Sequence, residues 1–217
     1  VGNIGVVALR AGNFSIQNCD LLIVIGSRLD NVLTAYNQKK FARNAKKIVI
    51  DIDKNELDNH QMKIDVKNAI DAKYFLDMLN KMSDKICGYR KDWVRKCNQL
   101  KVKYSVEKEF EFDPDEISHF EFAYIFSQAL KGGELIVTGS SGLGIEAFYT
   151  VFQVKKDQRV FLTSGLGAMG YGLPAVIGAC IANNRRPTFL IESDGSLQLN
   201  IQELATIKGL NLPICIF

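Results

Sequence analysis

The stretch Phe189-Leu-Ile-Glu-Ser-Asp194-Gly-Ser-Leu-Gln-Leu-Asn200-Ile-Gln-Glu-Leu204 joins an apolar run to a run of helical period through Ser-Asp-Gly-Ser. It predicts a buried strand that delivers an acidic residue and a glycine turn to its carboxyl edge. In an open parallel sheet that edge is where ligands sit. Asp194 cannot serve as core packing there, Gly195 permits a tight turn or a close approach, and Ser196 is placed to cap a helix over 199–208. A carboxylate beside helix-start N–H groups is an arrangement for holding a divalent cation against a phosphate. Asp-Gly-Ser is equally an ordinary turn, so both readings stand at this point.

Upstream, the same pattern repeats. Strand Leu135-Ile-Val-Thr138 runs into Gly139-Ser-Ser-Gly-Leu-Gly144 and a helix over 145–152. Strand Val160-Phe-Leu-Thr163 runs into Ser164-Gly-Leu-Gly-Ala-Met-Gly170 and a long apolar helix from Gly172 to Ala182. Pro187 opens the strand 188–192, and a last strand covers 213–217. A helix over 118–131 starts at Ser118 with Glu121 in capping-box spacing. Successive Gly/Ser loops on one sheet edge make a polar rim suited to phosphate.

The first half reads similarly. A short helix over 13–18 precedes Leu21-Leu-Ile-Val-Ile-Gly26, a branched apolar run expected to be buried on both faces. Residues 35–45 are basic and expected to be irregular or partly helical, and Lys46-Lys-Ile-Val-Ile-Asp-Ile-Asp53 is a second strand. A third strand near Met62–Val66 and a helix over 69–82 complete a doubly wound α/β pattern. Charged residues dominate 84–112, an expected exposed connector helix ended by Phe112-Asp-Pro114. The domains expected are therefore 1–84, a Rossmann-like portion, a connector at 85–117, and a second parallel-sheet domain at 118–217.

Composition excludes several classes. The 217 residues are 47% hydrophobic and 24% charged, as in soluble globular proteins. A net charge of +3, with dispersed Lys and Arg, gives no nucleic-acid footprint. No apolar run approaches the roughly 18 residues of a membrane span, and the start shows no signal-peptide pattern, so a cytoplasmic location is expected. Five cysteines without Cys-x-x-Cys spacing and two histidines argue against a zinc site or disulfide framework. Cys19, Cys180 and Cys215 sit in apolar surroundings and are expected as core thiols. The missing initiator Met and the end at Pro213-Ile-Cys-Ile-Phe217, inside an apolar strand, suggest a segment of something larger. No Gly-x-Gly-x-x-Gly follows the first strand, which disfavours an NAD-dependent dehydrogenase.

Thr163-Ser-Gly-Leu-Gly-Ala-Met-Gly-Tyr-Gly-Leu-Pro-Ala175, followed by Asp194-Gly-Ser and Asn200-Ile-Gln-Glu-Leu-Ala-Thr, resembles the diphosphate-binding domain of thiamine diphosphate (ThDP) enzymes, closest to the acetolactate synthase branch. Asp20-Leu-Leu-Ile-Val-Ile-Gly-Ser-Arg-Leu-Asp30 and Ile48-Val-Ile-Asp-Ile-Asp53 resemble the later part of that family's central domain. The resemblance implies two parallel-sheet domains, both truncated. It makes Asp194 an Mg²⁺ ligand, places Gly195 and Ser196 on the diphosphate and Gly167 and Ala168 along the aminopyrimidine, and makes Met169 the apolar wedge that bends the cofactor. Core packing is the alternative for Met169. Gly26, Ser27, Arg28 and Asp51 fall where flavin-containing members hold FAD, although a glycine and an arginine after a strand suit any α/β sheet.

The implied activity is decarboxylation of a pyruvate-like 2-oxo acid and transfer of the acyl unit to an acceptor, in a homodimer or homotetramer. The alternatives are a decarboxylase or carboligase on another 2-oxo acid, and a non-catalytic nucleotide- or flavin-binding relative. No catalytic residue is expected in this segment. The resemblance puts the activating glutamate in an amino-terminal domain and a second metal ligand, an Asn, beyond Phe217, so this piece alone is expected to be inactive. Three departures bear on the chemistry: the family's Thr-Ser-Gly-Gly-Leu-Gly is one glycine shorter here, at Thr163-Ser-Gly-Leu-Gly167, and two others stand at the site loops. Ser193 stands where the family usually has the first glycine of Gly-Asp-Gly, and Gly139-Ser-Ser-Gly-Leu-Gly144 stands where acetolactate synthases carry a Gly-Gln-His run.

Overall fold

The computed structural model describes every residue except Cys87, Glu111, Pro114, Ser141, Thr163 and Ser164. Expectations that fell on Pro114 as the connector's end, on Ser141 of the Gly/Ser loop and on the Thr163-Ser164 junction lie outside the described residues. The chain divides into two compact units, Val1–Glu109 and Phe110–Phe217.

In the first unit, α1 (Arg10–Asn18) leads to β1 (Leu21–Ile25), a 3₁₀ turn at Gln38–Lys40, β2 (Lys46–Asp51), α2 (Lys54–Asp58) and β3 (Val66–Ala69). Then follow α3 (Ala72–Lys81), α4 (Ser83–Ile86), α5 (Lys91–Lys103) and α6 (Val106–Glu109). The strands pair in parallel in the order β1-β2-β3, with Ile23 beside Ile48 and Ile48 beside Val66. Val24, Val49, Leu29, Phe41, Leu57 and Met62 form the core, with Leu22 packed against it. Because side chains alternate along a strand, Leu21 and Ile23 point the other way and stay exposed. The strand is thus buried on one face, not on both as expected.

Two other expectations shift for physical reasons. The third strand lies at Val66–Ala69, not Met62–Val66. Met62 and Ile64 contribute to the core from the preceding loop, whereas the strand is an exposed edge with no need of apolar residues. Within the span 84–112, expected as an exposed connector helix, residues 91–109 pack on α1. The Phe14 and Tyr104 rings stack with centroids 5.1 Å apart, and Arg10 Nε donates to Glu109 Oε1 at 2.8 Å.

The second unit contains α7 (His119–Ala129), β4 (Leu135–Thr138), a π-helical turn at Gly142–Ala147, α8 (Phe148–Val151) and β5 (Arg159–Leu162). It continues with α9 (Gly172–Ala182), β6 (Thr188–Ile191), α10 (Asp194–Gln198), α11 (Glu203–Gly209) and β7 (Ile214–Ile216). All four strands are parallel, in the order β5-β4-β6-β7. Leu173 and Val176 of α9 pack on Val137 and Leu190 across one face. On the other, Phe126 of α7 meets Phe189 edge-on at 5.4 Å and Phe148 of α8 at 6.5 Å. Helices on both faces account for the unbroken apolar runs of β4 and β6. The expected parallel α/β organisation is present in both units.

The α7 cap is as the sequence predicts, with Ser118 Oγ accepting from Glu121 N at 3.1 Å. The single helix expected over 199–208 is instead two short ones, and the cap position before the first belongs to Ser193, with Ser196 inside α10. Cys180 is buried and Cys19 half-buried, but Cys215 is exposed on β7, the outermost strand, and is not a core thiol. No helix among the described residues is long and apolar enough to cross a membrane.

Glu134, at the entry to β4, carries a pH dependence. Burial alone would raise its carboxyl, but donors from Gln158 Nε2, Lys131 N and Gly132 N outweigh that and hold it below the ordinary glutamate range. A depressed folded-state value gives stability that is present above the unfolded-state pKa and is lost as pH falls through the folded one. Denaturant titrations are expected to show stability dropping in acid, with a shallower drop in Glu134→Gln. An unchanged slope in that variant would remove Glu134 from the account.

Candidate functional site

The site follows from strand order. β4 lies between β5 and β6, so the chain turns to one side after β4 and crosses to the other after β5. That reversal is the topological switch point where open α/β sheets bind ligands. Thr138 is registered beside both Leu162 and Ile191, so the loops that follow the three strands leave one edge together.

Those loops bring most of the sequence-predicted residues to one place. Asp194 opens α10 with its carboxylate exposed. A β-carbon on Gly195 would lie 3.6 Å from Met169 Cε, so the methionine reaches the metal-loop candidate across the crevice. Met169 is 55% exposed, which argues against the core-packing alternative. Gly167 has φ +59°, a left-handed conformation suited to glycine, and a β-carbon there would stand 3.8 Å from Ser140 Oγ. Ser140 Oγ is itself buried with no hydrogen-bond partner among the described residues. Ala168 is exposed next to Met169.

Ser196 does something its sequence position did not suggest. Its side chain is fully buried, and Oγ accepts from Gly170 N at 2.8 Å. Asn200, given no role in the sequence, grips the same residue from the other side: Nδ2 donates to Gly170 O at 2.7 Å. The two bonds clamp the turn that presents Met169. Glu192, to which the sequence pattern assigns no role, is buried just after β6. An acid closing an apolar strand was the available signal.

The other candidates lie in the first unit. Gly26 (φ +57°) follows β1 and donates from its N to Ile50 O at 2.9 Å, next to Asp51 at the end of β2. Ser27 is exposed on the same crest. Arg28 is paired with Glu56, which raises its pKa through a side-chain hydrogen bond and charge attraction.

Chemically, the second-unit edge offers one exposed carboxylate, glycines that admit close approach, and an exposed apolar methionine above them. No cluster of three or more His, Cys, Asp or Glu that could hold a metal occurs among the described residues. A lone carboxylate suits a hard cation that completes its coordination with phosphate and water, as Mg²⁺ does. With an orphaned hydroxyl at Ser140 beside Gly167, the edge fits a bent, diphosphate-bearing cofactor.

Comparison with known proteins agrees. Residues 1–79 match the thiamine pyrophosphate enzyme central domain, and residues 139–217 match the C-terminal TPP binding domain of the same enzymes. The chain belongs to the thiamine pyrophosphate enzyme family. This family member is 30% identical over 220 residues to the acetolactate synthase isozyme 2 large subunit of Escherichia coli (strain K12), an alignment covering 99% of the chain and 37% of that protein. It is 32% identical over 225 residues to the probable acetolactate synthase large subunit of Methanocaldococcus jannaschii, covering 100% of the chain and 37% of that protein. With the chloroplastic acetolactate synthase 2 of Nicotiana tabacum it shares 33% identity over 208 residues, covering 93% of the chain and 30% of that protein. The chain thus spans about a third of the length of these curated relatives. TPP and ThDP are one molecule, so the C-terminal domain match supports ThDP as the cofactor of this thiamine pyrophosphate enzyme.

Proposed function

We propose that this chain is the portion of a ThDP- and Mg²⁺-dependent enzyme that holds the cofactor's diphosphate and supports its bend, and that the whole protein decarboxylates a 2-oxo acid and passes the acyl unit to an acceptor, as an acetolactate synthase does. The observation that carries this is the meeting of Met169 with Gly195, beside the exposed Asp194, at the switch point of the second sheet. Asp194 would take the cation and Gly195 would let the diphosphate approach the backbone. Gly167 and Ala168 would lie along the aminopyrimidine, and Met169 would be the wedge at the cofactor's bend, held in place by the Gly170 clamp. When bound, ThDP supplies the nucleophilic carbon and the electron sink for decarboxylation. The protein's share is orientation and exclusion of water. Ser196 supports the site from beneath, because its buried hydroxyl is engaged with Gly170 N. A homodimer or homotetramer, with the activating glutamate supplied by another domain, belongs to the same reading. FAD on the Gly26–Asp51 crest would meet an Arg28 side chain that is exposed while one of its nitrogens pairs with Glu56.

A second reading, a decarboxylase or carboligase on another 2-oxo acid, is favoured by the loop after β4, Gly139-Ser-Ser-Gly-Leu-Gly144, which lacks the Gln-His of acetolactate synthases and sets Ser140 near Gly167. Calorimetric titration of the full-length protein with ThDP, with and without Mg²⁺, tests the cofactor assignment: tight binding only with Mg²⁺ is expected. A panel of 2-oxo acids with product analysis then separates the two enzymatic readings. An acetohydroxy acid product from pyruvate supports the first, and a free aldehyde or a product from a different 2-oxo acid supports the second. Absence of ThDP binding under any metal condition would sink both.

A further inference from the structure

Glu192 presents the least ordinary packing in the second unit. Only 6% of it is exposed, and its carboxylate sits in a slot between two glycines from other elements. A β-carbon on Gly139, after β4, would lie 1.9 Å from Oε1. One on Gly172, the first residue of α9, would lie 2.1 Å from Oε2. Any side chain at either position would expel the carboxylate. Oε1 accepts from Ser193 N at 3.0 Å, while Oε2 has no hydrogen-bond partner among the described residues.

A buried carboxylate oxygen without a partner is costly. The start of α9 has no acidic residue of its own in its first turn, so Glu192 supplies the negative charge that the helix dipole favours, which offsets part of that cost. What the arrangement achieves is local geometry. Glu192 N donates to Phe217 O at 2.9 Å, and Gly139 N donates to Ile191 O at 2.8 Å, so the backbone at this point is still held by the sheet. The carboxylate then folds over its own next residue and holds Ser193 N–H. Ser193 is extended (φ −100°, ψ 155°), and Asp194 begins the helix directly after it. Serine has less backbone freedom than glycine, and the Glu192 bond narrows that freedom further.

We infer that Glu192 is a positioning residue for the metal loop: seated between Gly139 and Gly172, it fixes the Ser193 peptide and through it the direction in which Asp194 presents its carboxylate to Mg²⁺. The inference rests on Asp194 being the metal ligand. Glu192 holds Ser193 through a hydrogen bond and a shape fit, and this makes two conservative variants respond differently. Glu192→Gln keeps the length and an acceptor for Ser193 N–H. Glu192→Asp keeps the charge but is one methylene too short to fill the slot and hold Ser193 N together.

The test is Mg²⁺ titration of the full-length protein at saturating ThDP, read by calorimetry, with thermal melting of each unliganded variant alongside. Groups that orient metal ligands typically change metal affinity by about 10–100-fold when lost. Glu192→Asp is therefore expected to weaken Mg²⁺ at least about tenfold, and Glu192→Gln to stay within about threefold of the parent. Unliganded melting of both is expected to lie within about 3 °C of the parent, which a purely structural role for Glu192 would not give. Parent-like Mg²⁺ affinity in Glu192→Asp overturns the inference, as does a Glu192→Gln variant as weak as Glu192→Asp. Asp194→Ala separates the two levels of the argument. If it keeps parent-like Mg²⁺ affinity, the proposed function falls and the role of Glu192 with it. If it loses affinity while Glu192→Asp does not, only the role of Glu192 falls.

Discussion

Asp194→Ala is expected to abolish the Mg²⁺ requirement of ThDP binding and to weaken binding in the presence of Mg²⁺ by at least about 100-fold, which corresponds to about 2.7 kcal/mol. The cause is the mismatch between a hard cation and what remains. Mg²⁺ binds through oxygen and keeps few protein ligands, and Asp194 is the acid that opens α10 at the site edge. The same substitution is expected to leave the fold almost untouched. Asp194 is exposed and makes no core contact, so the change in stability should stay within about 0.5 kcal/mol, apart from a few tenths lost at the start of a short helix. Calorimetry of ThDP binding with and without Mg²⁺, together with a thermal melt, reads both quantities. Binding that survives intact would mean that the metal loop is wrongly assigned, whatever the fold.

The features that could be read from the sequence and those that could not differ in how far apart their determinants lie. β1 and β2 are legible because Leu21–Ile25 is an apolar run bounded by Asp20 and Gly26, and β2 carries the β-branched Ile48-Val-Ile50 closed by Asp51. α9 was legible to the residue, since Gly172 and Ala182 bracket an apolar helix between glycine-rich and Asn-rich segments. β3 was misplaced because its four residues are exposed, while the apolar Met62 and Ile64 just before it belong to a loop. Asp194, Gly195, Gly167 and Met169 converge as the repeated strand-to-loop pattern suggested, because strand order in a parallel sheet brings such loops to one edge. The buried role of Ser196 could not be read locally: its partner Gly170 lies 26 residues away and Asn200's bond to Gly170 spans 30. Glu192 is a similar case. Its slot is built by glycines from two other elements, and a local pattern reports only an acid after an apolar strand.

Gly170→Ala is expected to damage both the fold and the site although it adds a single methyl. Gly170 has φ +82°, which costs an L-residue about 1–2 kcal/mol. The added methyl would also lie 2.9 Å from Leu199 Cβ and 3.0 Å from Asn200 Nδ2, the atom that holds Gly170 O. Overpacking of this kind costs about 1–3 kcal/mol more, so a total of about 2–5 kcal/mol and a fall in melting temperature on the order of 10 °C are expected. Two milder variants separate strain from the loss of each bond. Ser196→Ala leaves the buried Gly170 N–H without its acceptor and should cost about 1–3 kcal/mol, whereas Asn200→Ala removes a half-buried donor at about 1 kcal/mol. ThDP affinity should fall in the same order, Gly170→Ala most and Asn200→Ala least, because each step loosens the turn that carries Met169. If Gly170→Ala melted and bound ThDP like the parent, the turn would not be clamped against Ser196 and Asn200, and Met169 would lose the support that makes it a fixed wedge rather than a mobile surface side chain.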